Sequence, residues 1–158
     1  MIGMRTATGA ALAAGVLAAA GLAFAPAAAA VTPQTATINA SCGIFGGGAA
    51  TLTATQSGTS ATVTLTSTAV KAPVAVAADS ITSKLTLVKA SGGTTVFTGT
   101  KNPAMAAGDP VSAGPLSGTV ASGDSLEAYG GSLQMTIFGI NVTCTATGKQ
   151  SPGPFVFD

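Results

Sequence analysis

The residue types able to do chemistry in this sequence are two cysteines, one close pair of carboxylates and a few lysines, and histidine is absent. No other side chain has an unperturbed pKa near neutrality. The usual general base, the commonest metal ligand and the ordinary serine or cysteine hydrolase triad are therefore missing. We accordingly expect a protein that is not an enzyme, with no catalytic residue, no metal site and no cofactor.

Asp124 and Glu127 are the closest carboxylates, and a pair of carboxylates can catalyse glycoside hydrolysis. The preceding Ser122-Gly123 is typical of a turn, and the residues after Asp124 are typical of a strand. A turn aspartate and an outward-facing strand glutamate are therefore the better interpretation of this pair.

Two lysines, Lys71 and Lys84, each follow a serine by four residues, Ser67 and Ser80 respectively. A Ser-Lys dyad would require a desolvated lysine within hydrogen-bond reach of the hydroxyl. On threonine-rich strands, solvated surface lysines are the better interpretation.

Residues 1–30 have the order of features of a cleavable secretory signal peptide. Arg5 lies in a short basic start, Ala7 to Ala25 form an apolar stretch, and small residues at 27–30 follow Pro26. The stretch is short, rich in Ala and Gly, and lacks a basic stop-transfer flank, which argues against a transmembrane anchor. We expect a secreted, extracellular protein with a single domain over residues 31–158, not membrane-spanning once processed and able to associate with the cell surface.

Cys42 and Cys144 are the only cysteines. In an exported chain an even count favours one disulfide, and closing a loop of about 100 residues stabilises the fold by about 4.7 kcal/mol in the chain-entropy model. A metal or redox role is the alternative, but it lacks a Cys-x-x-Cys pair and histidine.

Alternation of apolar and polar residues with a period of two predicts strands throughout residues 31–158. The clearest examples are Ala61 to Val70 and Ile81 to Lys89, and turn signals such as Ser91-Gly92-Gly93 separate the segments. Eight or nine short strands in this arrangement indicate an all-β antiparallel sandwich or barrel. Residues 101–121 read as a long loop with a short strand near Leu116 to Val120.

Between Leu133 and Cys144 the apolar positions change from odd to even numbers, and the change falls at Phe138-Gly139. A shift of one residue reverses the face of a strand, so we predict a β-bulge or a tight reversal here, with Gly139 supplying the permissive backbone. We expect Phe138, like Phe97, to be a core residue.

The tail from Pro152 to Asp158 places Phe155 and Phe157 after a Pro-Gly-Pro sequence. Their alternation favours a final strand, and the alternative is an exposed apolar contact for a partner.

The segments Ser41-Cys42, Leu116 to Val120 and Leu133 to Thr145 resemble a family of secreted actinobacterial proteins of unknown function. That resemblance implies an immunoglobulin-like β-sandwich with no catalytic residues to transfer. The composition is also similar to that of the enediyne chromoprotein apoproteins, immunoglobulin-like sandwiches that bind an aromatic chromophore in a cleft but usually carry four cysteines.

Two functions follow as expectations. The first is a non-enzymatic interaction or structural module of the bacterial cell envelope, whose partner is a protein or an envelope component. The alternative is a carrier of a small apolar ligand in a cleft of the sandwich. The five lysines and five acidic residues of 31–158 cancel, and no basic patch with aromatics is present, so nucleic acid is not an expected partner.

Overall fold

Nine β-strands and one 3₁₀ turn form residues 31–158 of the computed structural model, which is the part of the chain that it describes. The signal peptide expected over residues 1–30 lies outside the described residues. In chain order the strands are β1 (Thr35–Ser41), β2 (Gly47–Ser57), β3 (Ser60–Lys71), β4 (Thr82–Lys89), β5 (Thr94–Thr100), β6 (Pro110–Thr119), β7 (Ser125–Ile137), β8 (Ile140–Ala146) and β9 (Phe155–Val156), with the 3₁₀ turn at Gly43–Phe45 between β1 and β2.

The first eight strands close into an antiparallel barrel. Around it they follow the order β4, β5, β6, β3, β2, β1, β8, β7, and β7 pairs back with β4 from Thr82↔Thr136 to Lys89↔Leu126. The expectation of an immunoglobulin-like sandwich is therefore wrong, although the all-β antiparallel class is correct. Strand alternation is the same in both architectures, and only the β4–β7 pairing removes the open edges that a sandwich would keep.

Closure depends on irregular pairing that bends the longest strands. Between β4 and β7 the register moves from Thr86↔Ser132 to Val88↔Glu127, so β7 carries extra residues at this point. Gly131 lies there against β4, and a Cβ at this position would collide with the carbonyl oxygen of Thr86. The close approach of the two strands thus requires glycine.

The segment 101–121, which the sequence predicts as mainly loop, contains the ten-residue strand β6. Gly114 and Pro115 interrupt its apolar alternation and hide the strand in the sequence. Conversely, Pro73 to Ala77 has the composition of a strand but makes only one isolated bridge, Val76↔Met105.

The core fills the barrel interior with side chains that alternate along each strand. Its fully buried members include Leu52, Val63, Leu87, Phe97 and Leu116. Phe97 is thus a core residue, as predicted. In residues 31–158 no helix is long and apolar enough to span a membrane.

One end of the barrel is closed by the C-terminal segment. β1 and β8 pair only at Ala40↔Ala146 and Ser41↔Thr145. Beyond this point the C-terminal segment makes backbone bonds from Thr147 to Asn39, between Ser151 and Thr37, and between Val156 and Thr32. β9 pairs with the start of β7 at Ser125↔Val156 and Leu126↔Phe155. This end is called the tail end below.

Candidate ligand-binding site at the open end of the barrel

Four connections surround the opposite end of the barrel, which we call the mouth: residues 42–46, 72–81, 101–109 and 138–139. They enclose an apolar pocket of about 440 Å³, here named the mouth pocket, within the ~300–1,000 Å³ usual for small-molecule sites. Its wall consists of Cys42, Phe45, Val70, Lys71, Ala72, Pro73, Val74, Val76, Ile81, Met105, Val111, Met135, Ile137, Phe138, Ile140 and Val142.

Asn102 holds the longest of these connections in place. Its buried side chain accepts hydrogen bonds at Oδ1 from the backbone N–H groups of Ser80 (2.8 Å) and Ile81 (2.9 Å). Its Nδ2 donates to the carbonyl oxygens of Ala77 and Pro103, each at 2.8 Å. One amide thus pins the loop 72–81, because its four bonds satisfy both ends of the side chain.

A backbone bridge joins this loop to the next one. Val76 and Met105 exchange N–H to carbonyl hydrogen bonds of 2.8 and 2.9 Å. Both side chains are buried and both line the mouth pocket. The two loops therefore form one preformed wall of the pocket.

The disulfide fixes the facing wall. Cys42 and Cys144 are bonded, as predicted, and join the end of β1 to β8. The 3₁₀ turn follows directly, and Cys42 N–H donates to Gly46 O at 2.7 Å. This arrangement places Phe45 at the rim with 45% of its surface exposed.

The β7–β8 hairpin supplies the third part of the rim. Ile137 pairs with Ile140, so Phe138 and Gly139 alone form the turn, with φ of 52° and 77°. Positive φ at both positions is the geometry of a tight two-residue hairpin, and the predicted reversal is confirmed. The core position expected for Phe138 is wrong, because the turn leaves this side chain 66% exposed.

Beneath the mouth pocket lies a smaller interior cavity of about 50 Å³. Four residues line both spaces: Cys42, Val70, Val111 and Met135. Met135 is unbranched and adaptable, which suits a wall that can yield. The mouth pocket and the interior cavity therefore adjoin each other and share these four residues as a common wall.

Charge is nearly absent from this site. Lys71, at the end of β3, is the one charged residue in the wall of the mouth pocket, and its side chain is exposed. Among the described residues, the ion pairs are Lys89–Asp124 and Lys101–Asp79, each at 3.3 Å, and neither includes Lys71.

The carboxylate pair of the sequence, Asp124 and Glu127, lies away from the mouth pocket, near the tail end. Asp124 accepts a hydrogen bond from Ala121 N–H at 2.9 Å and pairs with Lys89, as a turn aspartate does. Glu127 Oε1 accepts from the backbone N–H groups of Tyr129 (3.1 Å) and Gln150 (2.9 Å). Both carboxylates thus organise the backbone around them.

The two serines have backbone partners instead of lysines. Ser67 Oγ donates to Ala49 O at 3.2 Å inside the barrel, and Ser80 Oγ donates to Ala77 O at 2.6 Å. Neither hydroxyl is hydrogen-bonded to a lysine in the described part of the chain.

Phe155 and Phe157 are almost fully buried, at 0% and 1% exposure. The final-strand alternative describes them, since Phe155 belongs to β9 and both side chains pack in the core at the tail end. In this position neither ring offers a surface to a partner.

Sequence reasoning missed the mouth pocket. Its large exposed apolar residues appear in the sequence only as isolated positions, with Phe45, Val74 and Phe138 in three separate connections and Ile140 at the start of β8. Within residues 31–158, no group of three or more His, Cys, Asp or Glu side chains is placed to hold a metal ion.

Comparisons with protein-family models, with characterised proteins and with solved structures found no match. The actinobacterial family resemblance stays a prediction.

Proposed function

We propose that the protein binds a small apolar molecule in the mouth pocket, as a carrier and not as an enzyme. The observation that carries this proposal is an apolar, preformed pocket of about 440 Å³ at the open end of a barrel whose other end is closed. Barrel mouths are a common place for small-molecule sites, and eight strands enclose room for one small ligand.

The rim gives the proposal an energetic basis. Val74, Phe138 and Ile140 each expose half or more of their surface to water around the pocket. Each methylene that a ligand buries in such a place contributes about 0.8 kcal/mol. Because Asn102 and the disulfide already fix the walls, little ordering of the protein opposes binding.

The positions of the apolar and charged side chains favour ligand binding over catalysis. The deep wall of the pocket is made of apolar side chains such as Ile81, Met105 and Val142. The carboxylates of Asp124 and Glu127 are hydrogen-bonded at the other end of the barrel. We further infer that the carrier acts outside the cell, since disulfides persist in oxidising compartments.

Two matched variants test the site. Nile red, a neutral apolar dye, is titrated into residues 31–158 of the wild type, Val74→Glu and Val96→Glu, and its fluorescence enhancement is followed. Val96 is also partly exposed but lies on β5, outside the pocket wall. We expect saturable dye binding that Val74→Glu weakens at least tenfold and Val96→Glu leaves within twofold. Absence of saturable binding by the wild type would refute the proposal.

A second candidate is docking of a protein or envelope component on the same rim. Ile44 favours it, because this side chain is 97% exposed at the tip of the 3₁₀ turn and does not line the pocket. Native mass spectrometry of protein isolated from its own culture medium separates the two candidates. A retained small ligand supports the carrier, and a bare mass supports the interaction module.

A further inference from the structure

The distribution of charge around the mouth pocket specifies the ligand more closely. Resting on the proposed function, we propose that the ligand is an elongated amphiphile with an apolar chain and an anionic head, and that the head lies against the Lys71 ammonium group.

The first step is the position of Lys71. It is the last residue of β3 and pairs with Pro110 at the start of β6, so its backbone is fixed at the rim. Its side chain is exposed, and within residues 31–158 it takes part in no ion pair or side-chain hydrogen bond. An anionic group at the pocket entrance therefore finds a cation without displacing a partner.

The second step concerns the carboxylate of Asp109, which directly precedes Pro110, the pairing partner of Lys71. Asp109 is joined to the end of β3 through its backbone, because Ala72 N–H donates to Asp109 O at 2.9 Å. Its carboxylate Oδ2, however, accepts from Ala106 N–H at 2.8 Å, and Asp109 is not part of the pocket wall. The pocket entrance thus presents one positive group and no negative group in its wall.

The third step is the shape of the apolar space. The wall runs from the exposed rim to buried residues such as Ile81 and Met135, and Met135 also lines the adjoining interior cavity of about 50 Å³. A chain entering end-on buries methylenes along this whole path and leaves its head in water beside Lys71. A neutral compact molecule would fill the pocket but would make no ion pair with Lys71.

The experiment compares two ligands of equal chain length, decanoate and 1-decanol, by displacement of Nile red below the concentration at which decanoate forms micelles. It uses residues 31–158 of the wild type, Lys71→Met and the matched control Lys84→Met, whose lysine lies on the outer face of β4. Methionine keeps the apolar stem at each position and removes the charge.

We expect the wild type to prefer decanoate by about fivefold, the upper effect of an exposed ion pair. Lys71→Met should reduce this preference below twofold through weaker decanoate binding, with 1-decanol unchanged, and Lys84→Met should retain it. The preference should also fall with added salt, because exposed charges are screened.

The experiment distinguishes failure of the proposed function from failure of the proposed anionic head. If neither compound displaces the dye and the dye itself does not bind, the proposed function fails. If both compounds bind equally to the wild type, or if Lys71→Met retains the full preference, the anionic head at Lys71 is refuted while the apolar pocket stands.

Discussion

Truncation of Phe157 tests whether the C-terminal segment is part of the barrel core. The ring is 1% exposed and packs with the core at the tail end. Removing a buried phenyl ring costs about 3–5 kcal/mol, a large share of the ~5–15 kcal/mol that stabilises a domain. The backbone bonds from Gly123 N to Phe157 O (2.7 Å) and from Phe157 N to Asp124 O (2.9 Å) do not involve the ring, so Phe157→Ala reports mainly on packing.

The assay is urea unfolding followed by far-ultraviolet circular dichroism. With a slope of about 1–3 kcal/mol per molar urea, the midpoint of Phe157→Ala should fall by at least about 1 M. The matched control is Phe138→Ala, which removes the same ring from a side chain that is 66% exposed and should change stability by less than about 0.5 kcal/mol. Equal effects of the two substitutions would refute the closed tail end.

Three further substitutions probe the walls of the barrel and its mouth. Replacing Cys42 and Cys144 together by serine should lower the free energy of unfolding by about 2–5 kcal/mol, because a loop spanning 102 residues is released. Urea titrations without reductant measure this loss, and a loss under about 1 kcal/mol would contradict the expected role of the disulfide. Asn102→Ala should cost about 1–3 kcal/mol and also weaken Nile red binding, since it leaves the backbone N–H groups of Ser80 and Ile81 without their acceptor. The exposed Asn141→Ala should alter neither measurement. Gly131→Ala should lower the thermal midpoint by the equivalent of about 1–3 kcal/mol through collision with the facing carbonyl of β4, and an unchanged midpoint would show that the strands do not approach so closely.

Local features of the fold were predictable from the sequence. The alternation in Ala61 to Val70 lies within β3, and the parity change at Phe138-Gly139 marks a two-residue hairpin. The pairing of Cys42 with Cys144 followed from their number and from the expectation that the chain is exported. Each of these signals depends on neighbouring residues or on a simple count.

Closure of the barrel was not predictable in the same way. Alternation specifies which face of a strand is buried, and a sandwich and a barrel impose the same pattern. The difference lies in the pairing of β4 with β7, which is set by extra residues around Gly131 and by the approach of two distant segments. Local patterns carry no signal for such a long-range pairing.

The mouth pocket was hidden for a related reason. Phe45, Val74 and Phe138 belong to three different connections, and each looks like an ordinary apolar residue in a short segment. Only the common end of the barrel brings them together. The position of Lys71 in the wall of the mouth pocket was hidden in the same way, because the sequence shows this residue only as one of five lysines in residues 31–158.

Methyl NMR of the methionines provides the most direct test of a ligand in the mouth pocket. Met105 and Met135 are the only methionines in residues 31–158, and both line this pocket. Protein with ¹³C-labelled methionine methyl groups is titrated with decanoate. We predict that both resonances shift and reach saturation together at one equivalent of bound ligand. Two resonances that stay unmoved with decanoate up to the micelle-forming concentration, and also with Nile red, would contradict the mouth pocket as a ligand site.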